Sequence, residues 1–372
     1  MNGTIIKRGE RPCFDGCDFV VQLPPERKGT KIRLLQLTDM QIIDSTQRRT
    51  PDRLRIDEIN AWLPRNFDIQ CGNHIRSLVT QIQPDLIFIT GDLVYGSFDD
   101  QGSTFQWFCR LMDSFQIPWA PVFGNHDNES LMGVDWQCAQ LEQCEYCLFQ
   151  RGNVSGNGNY SVGIAVEDQL IRVIHMLDSN GCSGGIDSAI VKTKGMLPDQ
   201  LALVKDNTAR IRKAQGREVP GFMAFHIPVD CFVEAETEKG YRTEEKPLYI
   251  LGVDVPARDG DFGFKLRNYA YAKTGEDFIG FLQEQNIQGV FVGHIHTVST
   301  CITYREIRWV FGLKTGQYDY HVPGQVGGTM VCLEQDDFSV TYVPSGVPYA
   351  QLAGNCDTFA EVFAESKILL EG

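Results

Sequence analysis

Five apolar runs, each about the length of a β-strand, close on the same kinds of side chain. In chain order they are LLQLTDMQ (34–41), LIFITGD (86–92), VFGNHD (122–127), FMAFHIP (222–228) and VFVGHIH (290–296). Each is rich in β-branched or aromatic residues and carries Asp, Asn or His at its C-terminal edge, the pattern of a buried strand running into a polar loop. In an α/β sheet, groups placed just past the strand ends meet in one crevice. Asp, Asn and His are metal-ligand types, so five distant segments can assemble a single polynuclear metal site.

The intervening sequence supports that arrangement. Residues 31–38 read as a buried strand, 73–83 as a helix closed by Pro84, 85–90 as a second strand, and 103–115 as a helix N-capped by Ser103. Trp119 to Phe123 then gives a third strand, which completes a β-α-β rhythm. Residues 171–179 form another strand, and Leu197-Pro198-Asp199 opens a further helix, with proline at its favoured first position. A helix near 276–285 precedes the last of the five runs, and EIRWVF, TMVCLE and FSVTYV supply closing strands. The charged stretch 233–268 shows no sustained periodicity and is expected to be a flap over the site. The whole chain, 1–372, is expected to form one domain with its catalytic core over about 31–345. Residues 357–372 have helical spacing of Phe359, Val362, Phe363 and Ile368, which marks a docking tail.

Charge narrows the function classes. The formal net charge is −14, which opposes a surface that gathers nucleic acid by long-range attraction. An anionic small molecule stays compatible, because bound cations dominate the field inside a cleft. The N-terminus has no apolar segment of a secretion signal, and no run reaches the roughly 20 apolar residues of a spanning helix. A cytoplasmic protein without membrane contact is the expectation. The twelve cysteines are scattered through the chain and read as free thiols. The one C-x-x-C pair, Cys144 and Cys147, has no second pair to complete a structural zinc site.

The ordered series D-x-Q, GD, GNHD, H and GHxH resembles the calcineurin-like metallophosphoesterase superfamily, and its surroundings resemble the purple-acid-phosphatase-like intracellular branch. The likeness runs from about Lys31 to Tyr320. It implies an α/β fold, a four-layer α/β/β/α sandwich of two facing mixed sheets with flanking helices, and two metal ions at the strand ends. On that resemblance Asp39 and His296 bind the first metal and Asp92 bridges both. Asn125, His226 and His294 complete the second. A hydroxide bridging the metals would attack phosphorus in line with the leaving oxygen. His126 is expected to face the substrate as general acid, with Asp127 or Asn128 orienting it. The family's partner carboxylate, three residues after the bridging Asp, is replaced here by Tyr95.

Gln41 stands where the family usually has a histidine ligand. An amide oxygen is a harder donor than imidazole, which favours Mn or Fe over Zn, although Zn is compatible with the other ligands. Leu93 and Val94 follow Asp92, so the tyrosine ligand that colours purple enzymes is not expected. Asp178, which ends its own strand, and His321, in GQYDYHVPG, are candidates for substrate contact or for supporting a ligand. His74 reads as a surface or packing residue and His175 as a core side chain. Arg242, Arg258 and Arg267 either grip an anion or lie on a solvated loop.

The leading expectation is therefore hydrolysis of a phosphomonoester or a small phosphodiester. A catalytically silent scaffold for protein binding is the alternative, and a nuclease is a third reading that the acidic charge disfavours.

Overall fold

The computed structural model describes residues 3–43, 71–96, 99, 101–183, 191–275, 277–317, 319, 321–322, 324–334 and 337–347. The expected tail over 357–372 lies outside these residues. The strands, in chain order, are β1 (Thr4–Lys7), β2 (Phe19–Leu23), β3 (Ile32–Leu37), β4 (Leu86–Thr90), β5 (Trp119–Val122), β6 (Tyr160–Val166), β7 (Gln169–Met176), β8 (Gly181–Ser183) and β9 (Val191–Thr193). They continue as β10 (Gly221–Ala224), β11 (Tyr249–Ile250), β12 (Phe262–Lys265), β13 (Ile287–Val292), β14 (Val298–Tyr304), β15 (Ile307–Phe311), β16 (Gly327–Glu334) and β17 (Asp337–Pro344). The α-helices are α1 (Asn73–Ile82), α2 (Ser103–Ser114), α3 (Val134–Glu142), α4 (Pro198–Gln215), α5 (Asp230–Glu238) and α6 (Phe278–Glu284).

One sheet runs β17-β16-β3-β4-β5 and the other β1-β2-β6-β7-β10-β13-β15-β14-β12-β11. Both are mixed. In the smaller sheet β3, β4 and β5 are parallel, with Leu37 opposite Ile89 and Thr90 opposite Val122. In the larger, β10 is parallel to both β7 and β13, with Ala224 opposite Met176 and Phe291. The central parallel strands are buried on both faces, which is why they read as continuous apolar runs and not as alternations.

The sheets meet through aromatic side chains. Phe88 of β4 packs edge-on against Phe291 of β13 at 5.3 Å, and Phe222 of β10 against Phe338 of β17 at 4.6 Å. Rings at such angles gain electrostatic complementarity in addition to their buried area. Helix α1 covers β3 and β16 on one outer face, while α4, α5 and α6 pack on β7, β14 and β13 of the other sheet. The expected α/β/β/α layering is thus the observed one.

Two local expectations need correction. Helix α2 is capped by Gly102, at φ 70°, and Ser103 is already its first helical residue; the Thr104 amide N–H donates instead to Asp99. Residues 233–268 are not one irregular loop, since they contain most of α5, the strand β12 and the edge strand β11. Strands of two and four residues are too short for alternation to show in a sequence. This region also buries an ion pair, Lys265 Nζ to Glu236 Oε2 at 2.7 Å, and the Tyr269 hydroxyl donates to the other Glu236 oxygen at 2.9 Å. Without those bonds the buried charges would be costly.

His175 lies in β7 as a core residue, its Nδ1 2.8 Å from the Ser161 hydroxyl. Burial pushes its pKa down to about 4. The folded state therefore keeps it neutral where an unfolded chain, with a pKa near 6.5, takes up a proton. The stabilisation is fully present above about pH 6.5 and is lost as pH falls toward about 4, on the order of 3 kcal/mol in total. Urea unfolding between pH 7 and pH 4 should show this slope, and His175→Gln should flatten it. An unchanged slope in the variant would assign the acid sensitivity elsewhere.

Candidate metal centre

The parallel strands of both sheets end on the same edge, and each releases a polar residue two to four positions later. Asp39 follows β3, Asp92 follows β4, Asn125 follows β5, His226 follows β10, and His294 and His296 follow β13. All are buried, Asp92 and His226 completely. Asp39, Asp92 and His226 each offer a ligand atom within 4.8 Å of the other two. Asn125 joins them, with its Oδ1 3.1 Å from His226 Nε2, which is itself 3.3 Å from Asp92 Oδ2.

The backbone is bent to present these groups. Asp39, Asp92 and His294 have φ of 53°, 53° and 75°, a left-handed region that costs a non-glycine residue of order 1 kcal/mol or more. The glycine before a ligand makes room for this. A Cβ on Gly293 would lie 1.9 Å from Thr38 Oγ1, and one on Gly124 would lie 2.1 Å from Asp92 Oδ1. The GD, GN and GH pairs of the sequence are thus a packing requirement as well as a ligand pattern. We expect Gly293→Ala to destabilise the fold by about 1–3 kcal/mol through overpacking and to displace Asp39, whose carboxylate accepts the His294 N–H at 3.0 Å. Thermal melting together with metal titration checks this, and a variant that matches the parent in both would refute it.

Burial and mutual charge set the protonation of the cluster. Burial works to raise both carboxylates, but the neighbouring histidines win. Asp39 is lowered to about 2, chiefly by the hydrogen bond from His296 and the charge of His226, and Asp92 lies well below the ordinary range. His226 is raised to about 9, because the Asp92 charge overcomes its desolvation. His294 and His296 go down, to about 3 and about 4, through burial first and then through the positive charge of His226 and Lys314 respectively. Two buried carboxylates therefore hold a field that draws positive charge to one spot.

His126 stands at the rim. Its side chain keeps 20% exposure whereas that of His226 has none. Its backbone N–H donates to Asp92 Oδ1 at 2.9 Å, and its Nδ1 lies 2.9 Å from Glu129 Oε2. The Tyr95 ring meets it edge-on at 4.4 Å. Burial alone would lower its pKa, but Asp92 and Glu129 together raise it.

Asp127 and Asn128, expected to orient His126, do other work. The Asp127 carboxylate accepts N–H bonds from Val94 at 3.0 Å and Gly124 at 2.7 Å, so it braces the two ligand loops against each other. Asn128 donates to the carbonyls of Gly124 and Gly181. Glu129 is the carboxylate on the histidine; its i+3 spacing across the short turn Asp127–Glu129 was the available signal.

Asp178 is not among the clustered groups. Its oxygens accept the N–H groups of Asn157 at 2.7 Å and Asn180 at 2.8 Å and so hold the loop beside β6. His321 is partly buried, with Nδ1 3.2 Å from the Asp319 carbonyl. Asp319 itself, missed in the sequence, lies 3.4 Å from His296 Nδ1, the place of a carboxylate that fixes a ligand histidine. His74 is buried against the Ser345 hydroxyl at 2.5 Å.

Gln41 departs most from expectation. Its Oε1 accepts from the buried Lys314 ammonium at 2.9 Å, and its Nε2 donates to Asp92 Oδ2 at 3.1 Å. An ammonium has donors only and a carboxylate acceptors only, so this amide orientation is forced. Of the two cation positions the resemblance implies, one fits the donors present. Asp92 and Asn125 bring oxygens to His226 Nε2, the His294 ring stands 5.1 Å from that of His226 between centroids, and Asn125 Nδ2 is buried without a hydrogen-bond partner, as suits an amide that turns its oxygen to a cation. The other position keeps Asp39 and His296, but Gln41 gives its N–H to Asp92 Oδ2 and its oxygen to Lys314, so its amide offers no free lone pair in place of the histidine.

The family model for calcineurin-like phosphoesterases matches residues 32–298. Among curated proteins, the chain is 23% identical over 323 residues to the probable inactive purple acid phosphatase 29 of Arabidopsis thaliana, covering 80% of this chain and 74% of that protein. It is 22% identical over 309 residues to phosphatase DCR2 of Saccharomyces cerevisiae, covering 79% of this chain and 48% of that one. Among solved structures, the purple acid phosphatase PPD1 of yellow lupin seeds superposes with a TM-score of 0.47 at 12% identity, over 88% of this chain and 54% of that one. The family match spans the strand ends that carry Asp39, Asp92, Asn125, His226, His294 and His296, and the chain belongs to the calcineurin-like phosphoesterase family.

Proposed function

We propose that this protein is a metal-dependent phosphoesterase that hydrolyses a small phosphomonoester or phosphodiester. The observation that carries the reading is the buried convergence of Asp39, Asp92, Asn125 and His226, with His126 on its open rim. Asp92, Asn125, His226 and His294 would hold a metal that, when bound, would supply Lewis acidity toward a phosphoryl oxygen and make water more acidic. Mn and Fe suit this oxygen-rich donor set, and Zn is compatible with it.

The chain's own residues do the rest. Glu129 holds His126 Nδ1, which leaves Nε2 to give a proton to the departing oxygen. Tyr95 packs on the ring and limits its rotation. The His126 N–H on Asp92 fixes the distance between the proton donor and the ligand cluster. A net charge of −14 supports a small substrate over a nucleic-acid polymer. Among the described residues no helix is long and apolar enough to cross a membrane.

A second reading, a silent scaffold that binds other proteins, is favoured by the word inactive in the names of the Arabidopsis relatives and by the altered Gln41 position. Metal-loaded protein assayed on p-nitrophenyl phosphate and bis-p-nitrophenyl phosphate separates the two. Turnover of either ester that is abolished by chelation supports the enzyme. Absence of turnover in protein with its metal bound supports the scaffold.

A further inference from the structure

We propose that the centre holds one tightly bound divalent metal, on Asp92, Asn125, His226 and His294, and that the Lys314 ammonium, fixed through Gln41, supplies the second positive charge on the Asp39 side. This rests on the functional reading above and specifies how its site is charged.

Three observations carry it. The first is the forced orientation of Gln41. Its acceptor is on Lys314 and its donor on Asp92, so the end facing Asp92 has no lone pair to offer a metal.

The second is the location of the ammonium. Lys314 is 2% exposed, and its Nζ donates to the Asp39 carbonyl at 2.7 Å as well as to Gln41. It is set there rigidly. The segment after β15 crosses from one sheet to the other, with the Thr315 N–H on the Thr38 carbonyl at 2.9 Å and the Gly316 N–H on the Asp39 carbonyl at 3.3 Å. A Cβ on Gly316 would lie 2.1 Å from the Met40 carbonyl oxygen, so this crossing is as close as the backbone permits. A second metal beside Asp39 would face this fixed ammonium in a site with little water to screen the repulsion.

The third is charge balance. Asp39, Asp92 and Asp319 are buried carboxylates in contact with the histidines. The Lys314 ammonium already offsets part of this negative charge on the Asp39 side, which leaves less to hold a second cation there. Buried charge is tolerated where it is compensated.

The test counts metals and does not depend on turnover. Full-length protein is loaded with Mn²⁺ alone, freed of loose ions, and analysed by plasma mass spectrometry and by electron paramagnetic resonance. We expect one equivalent and the spectrum of an isolated ion. The paired substitution Gln41→His with Lys314→Gln restores an imidazole and removes the ammonium, and should raise the content to two equivalents with an exchange-coupled spectrum. Two coupled ions in the wild-type protein overturn the inference and leave the functional reading standing. One equivalent in both proteins overturns the role given to Lys314. No bound metal in folded wild-type protein, as judged by circular dichroism, overturns the functional reading and the inference with it. Should the double variant fail to fold, the wild-type count and spectrum decide the stoichiometry.

Discussion

Asp92→Asn should lower kcat/KM by about 10³-fold or more and strip the centre of its metal at micromolar concentration. The substitution keeps the shape of the side chain and changes its electrostatics completely. Asp92 is fully buried and takes part in three contacts: the His126 N–H at 2.9 Å, Gln41 Nε2 at 3.1 Å and His226 Nε2 at 3.3 Å. An asparagine replaces one of its acceptor oxygens by an N–H₂ donor, which faces either the His126 N–H or the Gln41 amide. It also removes the negative charge that a cation would meet. Loss of a charged ligand forfeits several kcal/mol of transition-state stabilisation, which is the thousandfold in rate. Folding need not suffer in proportion, because removing one of two adjacent buried carboxylates relieves their repulsion. Metal analysis, kinetics and thermal melting on the same preparation separate these effects. Activity within tenfold of the parent would show that Asp92 does not hold the metal.

The backbone and the ligand loops were legible in the sequence because they obey short-range rules. A strand buried on both faces is mostly apolar, so β3, β4, β5, β10 and β13 announce themselves, and each stops at a polar group. The glycines before Asp92, Asn125 and His294 follow from the close approach of those loops, which is a local demand. Partner assignment was harder, because it depends on three-dimensional approach. Asp127 follows His126 directly, yet its carboxylate turns to Val94 and Gly124, while Glu129 comes round the 3₁₀ turn onto the ring. Lys314 obeys the same rule as the ligands, standing three residues beyond β15 at the same edge. A search confined to metal-binding side chains passes over it, because an ammonium binds carbonyls and amide oxygens but no metal. The site is thus a sum of strand ends of both kinds, some offering lone pairs and one offering a fixed positive charge.

His126→Ala should reduce turnover by about 10²–10⁴-fold, the usual range for loss of a positioned proton donor, while leaving the metal content unchanged. The two readouts distinguish a rim residue from a ligand. The hydrogen bond from His126 to the ligand cluster is made by its backbone N–H, on Asp92, and alanine retains that N–H. Its ring is held from outside, by Glu129 on Nδ1 and by the Tyr95 ring at right angles to it. The loss should depend on the leaving group. An alkyl or phenyl phosphate must receive a proton as the bond breaks, so it should suffer near the upper end of the range. An activated nitrophenyl ester departs as a stable anion and should suffer least. Glu129→Gln should fall between wild type and alanine with the same ordering of substrates, since a neutral amide still reaches Nδ1 but no longer favours the charged ring. A merely structural role for Glu129 would slow all esters alike. If His126→Ala likewise slowed activated and unactivated esters equally, or lost its metal, proton donation by His126 would have to be abandoned.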